Sequence, residues 1–248
     1  MEASLWKHGR VWELLQWNAD LTGGGKFALL PEEQSINLRA EIPLGEDVDL
    51  AGRIHQACTG FKTALERLRG GKTKDYQAGP YPAIFAADPV QSAGPDLSRL
   101  CHEAAWPFTE RSAGKLVVDL DVPDGFYQAI IQERMSQVHV SVELAACESL
   151  SLSQPCRQAL GALLLIACGM VRLARATAEE RAGRTAVRFE VVFVSPPCAA
   201  EMAHALSALS VACRLCGREA KVLQQDEGAA EEYLALRRMD RIAQALHK

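Results

Sequence analysis

Cys213-Arg214-Leu215-Cys216 is the one close cysteine pair in the chain, and a pair at this spacing can do redox or metal chemistry. A redox pair of the thioredoxin kind sits at a helix N-terminus, where the dipole lowers the thiol pKa. Here Met202, Ala205, Leu206, Leu209 and Cys213 predict a helix from Ser195-Pro196-Pro197 to Gly217, so the pair falls at its end. Zinc would need two more ligands, and no second Cys or His pair stands at finger spacing. The pair therefore reads as two thiols in a last helical turn. Asp119, Asp121 and Asp124 before Gly125 suggest calcium, but Pro123 pushes Asp124 one step late and no glutamate closes the loop. They read better as an exposed strand face and a Pro-Asp-Gly turn.

Gly23-Gly24-Gly25-Lys26 resembles part of a phosphate loop, yet Phe27 follows the lysine where Ser or Thr is required, and the earlier glycine is absent. A tight turn is the simpler reading. His8, His55, His102, His139, His204 and His247 are scattered singly, and no Gly-x-Ser-x-Gly elbow occurs. Triads assemble in space, so an enzyme or small-ligand protein stays open as an alternative, with Asp119, Asp121 and Glu143 as its acids or metal ligands and a site between two units.

The elements that must position such groups follow from periodicity. Val11, Glu13, Leu15 and Trp17 alternate with Trp12, Leu14 and Gln16, predicting a strand over Gly9 to Trp17 with apolar residues on both faces. Phe27 to Leu30 returns as a second strand, and Ile36, Leu38, Ala40 and Ile42 mark a third. A helix is expected from Glu46-Asp47 to Arg69, stopped by Gly70-Gly71. Between Gly70 and Pro95 four X-Pro dipeptides forbid a long helix and mark a boundary, with a short strand possible over Pro82 to Ala87.

Beyond the boundary a short helix, Asp96 to Trp106, precedes strands at Leu116–Val122, Phe126–Ile131 and Val138–Leu144. A long helix is expected from Gln154-Pro155 to Glu180. Its middle, Ala159 to Val171, is apolar all round and must be covered on several sides, with Gly161 and Gly169 admitting another helix closely. Val187, Phe189, Val191 and Phe193 give another strand, Ala220 to Leu223 a last short one, and Ala229 to Leu246 a closing amphipathic helix.

The formal net charge of -4, from 27 basic and 31 acidic residues, leaves no excess to neutralise phosphates, so nucleic acid is a poor partner. The longest basic run, Leu236 to Arg241, is interrupted by acidic and apolar residues. Met1 to His8 lacks the basic region and apolar core of a secretory signal, and the apolar run in the long helix is shorter than the ~20 residues a membrane crossing needs. A soluble cytoplasmic protein without membrane contact is expected. The 8 cysteines then read as free thiols in apolar segments.

Ala28-Leu29-Leu30-Pro31-Glu32 matches Ala129-Ile130-Ile131-Gln132-Glu133, and Ile36 to Ile42 matches Val138 to Leu144, with an extra residue at Gln137. The repeated order of three strands and a long helix predicts an α+β chain of two similar units. Each would be an antiparallel sheet against long helices, the first over 1–90 and possibly incomplete, the second over 91–248. Helix, three antiparallel strands, helix, further strands and final helix resembles the fold of class I type III secretion chaperones and YbjN-like proteins. That family's members are small acidic dimers that hold an unfolded segment of an effector along their surface without ATP or cofactor. The resemblance implies a non-catalytic chaperone-like or adaptor protein, no cofactor, a protein or peptide partner, and two units that imitate a dimer internally, or a homodimer. An extended peptide would then be held at a sheet edge or apolar groove. Trp12, Leu14, Phe27 and Leu29 are the partner contacts expected from strands apolar on both faces, or else they are core between the units.

Overall fold

The computed structural model describes residues 10–21, 24–31, 35–69, 96–112, 114–123, 125–134, 136–148, 152–181 and 184–237. Within them the chain is a mixed α+β fold with antiparallel sheets of two and six strands. The expected boundary over Gly70–Pro95, the strand at Pro82–Ala87, Asp124, and the closing helix beyond Arg237 lie outside the described residues.

The expected strand at Gly9–Trp17 is instead helix α1 (Val11–Asp20). Val11, Trp12, Leu14, Leu15 and Asn18 are its buried residues, a spacing of three and four that winds them onto one side. Strands β1 (Gly25–Leu30) and β2 (Ser35–Ala40) then pair with each other, with Phe27 opposite Leu38 and Leu29 opposite Ile36. Gly24 enters β1 at φ +73, the left-handed backbone that the glycine-rich turn supplies. Helix α2 (Leu50–Leu68) starts later than expected, where Asp49 Oδ1 accepts from Gly52 N at 3.0 Å. The first segment thus runs helix, strand, strand, helix. Its order differs from the three strands and helix that the repeat predicted.

Helix α3 (Leu97–Glu103) is capped by Asp96 and leads to β3 (Thr109–Ser112), a short exposed strand without apolar alternation to announce it. Strands β4 (Lys115–Leu120), β5 (Tyr127–Arg134) and β6 (Gln137–Glu148) follow as an antiparallel meander. Helix α4 (Gln154–Met170), with Ser153 as cap and Pro155 in its first turn, ends well before Glu180. The chain turns through Leu173 at φ +62 and returns as β7 (Arg175–Arg181) and β8 (Arg184–Phe193). Ala, Arg and Glu favour a helix over this stretch, but the alternation of Ala174, Ala176 and Ala178, all buried, suits a strand paired with β8.

Helix α5 (Ala199–Gln225) is continuous through Gly217, so the strand expected at Ala220–Leu223 is helix. Cys213, Cys216, Ala220 and Leu223 form one buried stripe on it. Gly217 is a packing position: a Cβ there would lie 2.3 Å from the Tyr127 hydroxyl. Helix α6 (Glu227–Leu236) closes the described fold, capped by Asp226.

The six-stranded order is β3-β4-β5-β6-β8-β7. Its register sets Leu116, Ile131, Val140 and Val191 in one row and Val118, Ala129, Val142, Phe189 and Ala176 in the next. Helix α5 packs on β6 and its neighbours, and α4 is enclosed by α1, α5, α6, β1 and β7. That enclosure explains an α4 that is apolar all round. A Cβ on Gly161 would meet Val11 of α1, and one on Gly169 would lie 2.9 Å from the Leu29 carbonyl oxygen, so one glycine admits a helix and the other a strand. A single buried cluster contains residues of every helix and of both sheets. Among the described residues no helix is long and apolar enough to cross a membrane.

Candidate protein-binding groove

Four cations, three of them buried, fasten the N-terminal elements to the rest. Lys26 of β1 is fully buried; its Nζ donates to Glu41 Oε2 at 2.9 Å, to the Val171 carbonyl at 2.5 Å and to the Ala174 carbonyl at 3.1 Å. Arg39 of β2 donates to the carbonyls of Cys168 and Gly169 at 2.6 and 2.5 Å. Together they satisfy carbonyls that the last turn of α4 leaves unpaired, where cations are also favoured by the helix dipole. Burial draws the Lys26 pKa below its ordinary value, against the opposing pull of Glu41. Arg175 of β7 pairs with Glu190 at 2.8 Å and donates to the Leu21 carbonyl after α1. Arg53 of α2 makes a two-pronged pair with Glu201 of α5, both contacts at 2.8 Å, and donates to Ser195 Oγ at 2.8 Å.

These locks place the segment after β2 against the C-terminal end of α4. Leu173 N donates to Glu41 Oε2 at 2.5 Å, so Glu41 is fixed from two sides and Ile42, Pro43 and Leu44 extend from it as a wall. The facing walls are Met170 to Leu173 and the stretch of α5 from His204 to Val211. The groove between them has a volume of about 690 Å³ and lies between the N-terminal hairpin and the C-terminal helices. Leu44 is 77%, Met170 64% and Val211 46% exposed, and all three line it. Large side chains left in water are ordinary when scattered; here three line one groove, which makes it the candidate site. Its polar groups are Arg172, His204 and Ser207 at the rim and the already bonded Glu41. A smaller cavity of about 30 Å³ beside Arg53 and Glu201 has room for a single water.

The residues expected to contact a partner are elsewhere. Trp12 is 7% exposed with its Nε1 donating to Glu180 at 3.2 Å, Leu14 and Phe27 are fully buried, and Leu29 backs onto α4 at Gly169. All four belong to the core where α1 and β1 meet α4 and β7, and they offer no open face. The physical reason is the helical winding of α1 and the coverage of β1 on both faces.

The acids of the enzyme alternative are not brought together either. Asp119 accepts from Gln128 on the exposed face of the sheet, Asp121 lies at the surface near Arg214, and Glu143 pairs with Arg184. No group of three or more His, Cys, Asp or Glu placed to hold a metal occurs among the described residues. Cys213 and Cys216 lie within α5, not at its end, and both are buried. Burial pushes the Cys213 thiol up to about 12 and Cys216 in the same direction, which makes both poor nucleophiles.

The sheet edges differ from the groove. Helix α1 runs along β7, and Asn18 Nδ2 donates to the Ala176 carbonyl at 3.0 Å, so that edge is covered. The opposite edge, β3, is four residues long, exposed, carries Glu110 and Arg111, and pairs irregularly with β4. Short, charged, irregular edges resist strand addition. No protein-family model, curated protein or solved structure matches the chain. Leu44, Met170 and Val211 were not singled out by periodicity, although Val211 falls off the apolar stripe of its helix and was a legible signal.

Proposed function

We propose that the chain is a non-catalytic, chaperone-like or adaptor protein of the cytoplasm that holds an extended segment of a protein partner in this groove. The observation that carries the reading is the convergence of exposed Leu44, Met170 and Val211 on one groove while the edges of the larger sheet are covered or charged. The order from α3 to α5 supports the likeness to secretion chaperones: helix, antiparallel strands, helix, two strands, helix. On that reading 1–90 and 91–248 are two units, the first shortened. Trp12, Leu14, Phe27 and Leu29 then form the contact that a dimer would otherwise make between chains.

Binding would use apolar side chains of the partner for affinity, with the backbone of an extended segment reaching the rim. The probe is a reduced, alkylated and therefore permanently unfolded lactalbumin, followed by fluorescence anisotropy. Met170→Asp and Val211→Asp should each weaken binding by about tenfold, since a carboxylate would be desolvated against apolar side chains. Glu133→Gln, an exposed change on β5, should leave it unaltered. Equal affinity for all four proteins would overturn the assignment of the groove.

A further inference from the structure

The lining of the groove on α5 ends at Val211, but exposed apolar residues continue along the helix beyond it. Val211, Leu215 and Val222 are 46%, 44% and 46% exposed and stand four and seven residues apart on α5, so they share one line of the helix with His204 and Ala208. From Ala208 to Val222 this apolar seam extends about 21 Å at 1.5 Å per residue. Exposed Arg218 stands on this line between Leu215 and Val222, exposed Arg214 and Lys221 run beside it, and Arg172 stands at the groove end.

The charges on this strip are predominantly cationic and weakly countered. Arg214 donates to the Asp121 carbonyl at 2.9 Å, with the Asp121 carboxylate 3.9 Å away and almost fully exposed. Lys221 lies 4.4 Å over the Tyr127 ring. Among the described residues Arg172, Arg218 and Lys221 have no carboxylate within ion-pair distance. Glu219 is the exposed acid of α5 on this stretch, and Glu41 is already bound to Lys26 and Leu173 N. A cationic strip on a chain of net charge -4 is a local arrangement that the overall composition hides.

We propose that the groove and the outer seam of α5 together take an acidic segment of a protein partner in which apolar and acidic residues alternate. This rests on the proposed function and names the chemistry of its partner. The spacing agrees: side chains on one side of an extended segment recur at about 6.6 Å, and Val211 and Leu215 are about 6 Å apart along the helix. The apolar side chains meet the seam, and the carboxylates, on the other side of the extended segment, are met by the long side chains of Arg214, Arg218 and Lys221 on and beside the seam. A second copy of this chain fits poorly, because a two-fold pairing through α5 would set these same cations against one another. The recess, with its walls on three separate elements, suits inserted side chains better than a flat lipid surface.

The test titrates the full chain with three labelled twelve-residue peptides in which leucine and valine alternate with Glu, with Gln or with Lys. The Glu peptide should bind about tenfold tighter than the Gln peptide at low salt, and the difference should shrink at high salt. The Lys peptide should bind more weakly than both. Arg214→Gln combined with Arg218→Gln and Lys221→Gln should abolish the preference for Glu, bringing the Glu and Gln peptides to equal affinity. Equal binding of the Glu and Gln peptides, both lost in Val211→Asp, would overturn the acidic partner and leave the groove standing. Binding of neither peptide would overturn both. Binding of vesicles rich in anionic lipid, lost in the triple variant and unaccompanied by peptide binding, would assign the strip to a membrane surface and overturn the proposal.

Discussion

Glu201→Gln isolates the lock between α2 and α5. Arg53 and Glu201 are 7% and 2% exposed, and the guanidinium cannot shed its proton. Removing the carboxylate charge leaves a buried cation that keeps only the neutral oxygens of Ser195, Gln56 and the new amide. Breaking a buried pair in this way costs about 3–5 kcal/mol. Glu201 Oε2 also accepts from Cys198 N at 3.0 Å at the start of α5, a bond that the amide oxygen of glutamine can keep. A loss near 4 kcal/mol is a large share of the ~5–15 kcal/mol available to a folded domain, and corresponds to a fall in Tm of roughly 10 °C. Arg53→Met together with Glu201→Leu removes both charges and should recover most of the loss, to within about 1–2 kcal/mol of the parent. The assay is urea unfolding of the parent, Glu201→Gln, the single variants Arg53→Met and Glu201→Leu, and the double variant. A Glu201→Gln loss below 1 kcal/mol, or a double variant no better than the sum of the singles, would refute the electrostatic reasoning.

Further outcomes follow from close packing and from buried thiols. Gly169→Ala should destabilise by about 1–3 kcal/mol despite alanine's higher helix propensity, since the atom nearest its Cβ is a β1 backbone oxygen that cannot swing aside; a gain in urea midpoint would contradict this. In native protein at pH 8, exposed Cys58 should react rapidly with an aromatic disulfide reagent while Cys213 and Cys216 stay protected until unfolding. Mass spectrometry showing early labelling on α5 would contradict their burial. Burial also raises Cys101 to about 11 and Tyr233 to about 12, and moves Cys168 the same way. Thiols whose folded pKa exceeds the ordinary value of 9.0 contribute fully below pH 9 and lose that contribution as pH rises toward 11 to 12. Lys26, drawn downward, acts in the opposite sense but is a single group. Unfolding free energy should therefore fall between pH 8 and pH 10.5, and a flat or rising profile would contradict it.

The strands β4, β5, β6 and β8 were legible because apolar residues recur at every second position in each, although on β8 the positions between them are covered as well. Helix α1 was not, since Val11, Trp12, Leu14 and Leu15 satisfy either period once apolar residues crowd both faces. Strand β7 was hidden by helix-forming Ala, Arg and Glu, and only pairing with β8 decides the matter. Gly217 looked like a helix stop because its contact with Tyr127 comes from a strand 90 residues earlier. The locks could not be read at all: Lys26 bonds Val171 across 145 residues and Arg53 bonds Glu201 across 148. The groove inherits that difficulty, being assembled from three distant stretches. The outer seam of α5 that continues from its wall was visible in principle, as Val211, Leu215 and Val222 are apolar on the face that the buried stripe leaves outside.

The most direct test of a partner held in the groove is photo-crosslinking in the source cells, with a benzoyl-phenylalanine placed at Val211, at Leu44 and, as control, at Glu133. The account predicts that Val211 and Leu44 capture the same protein, that the captured residues lie in one short segment of it, and that Glu133 captures none of it. Capture of that protein from Glu133 alone, or of unrelated proteins from Val211 and Leu44, would contradict the account.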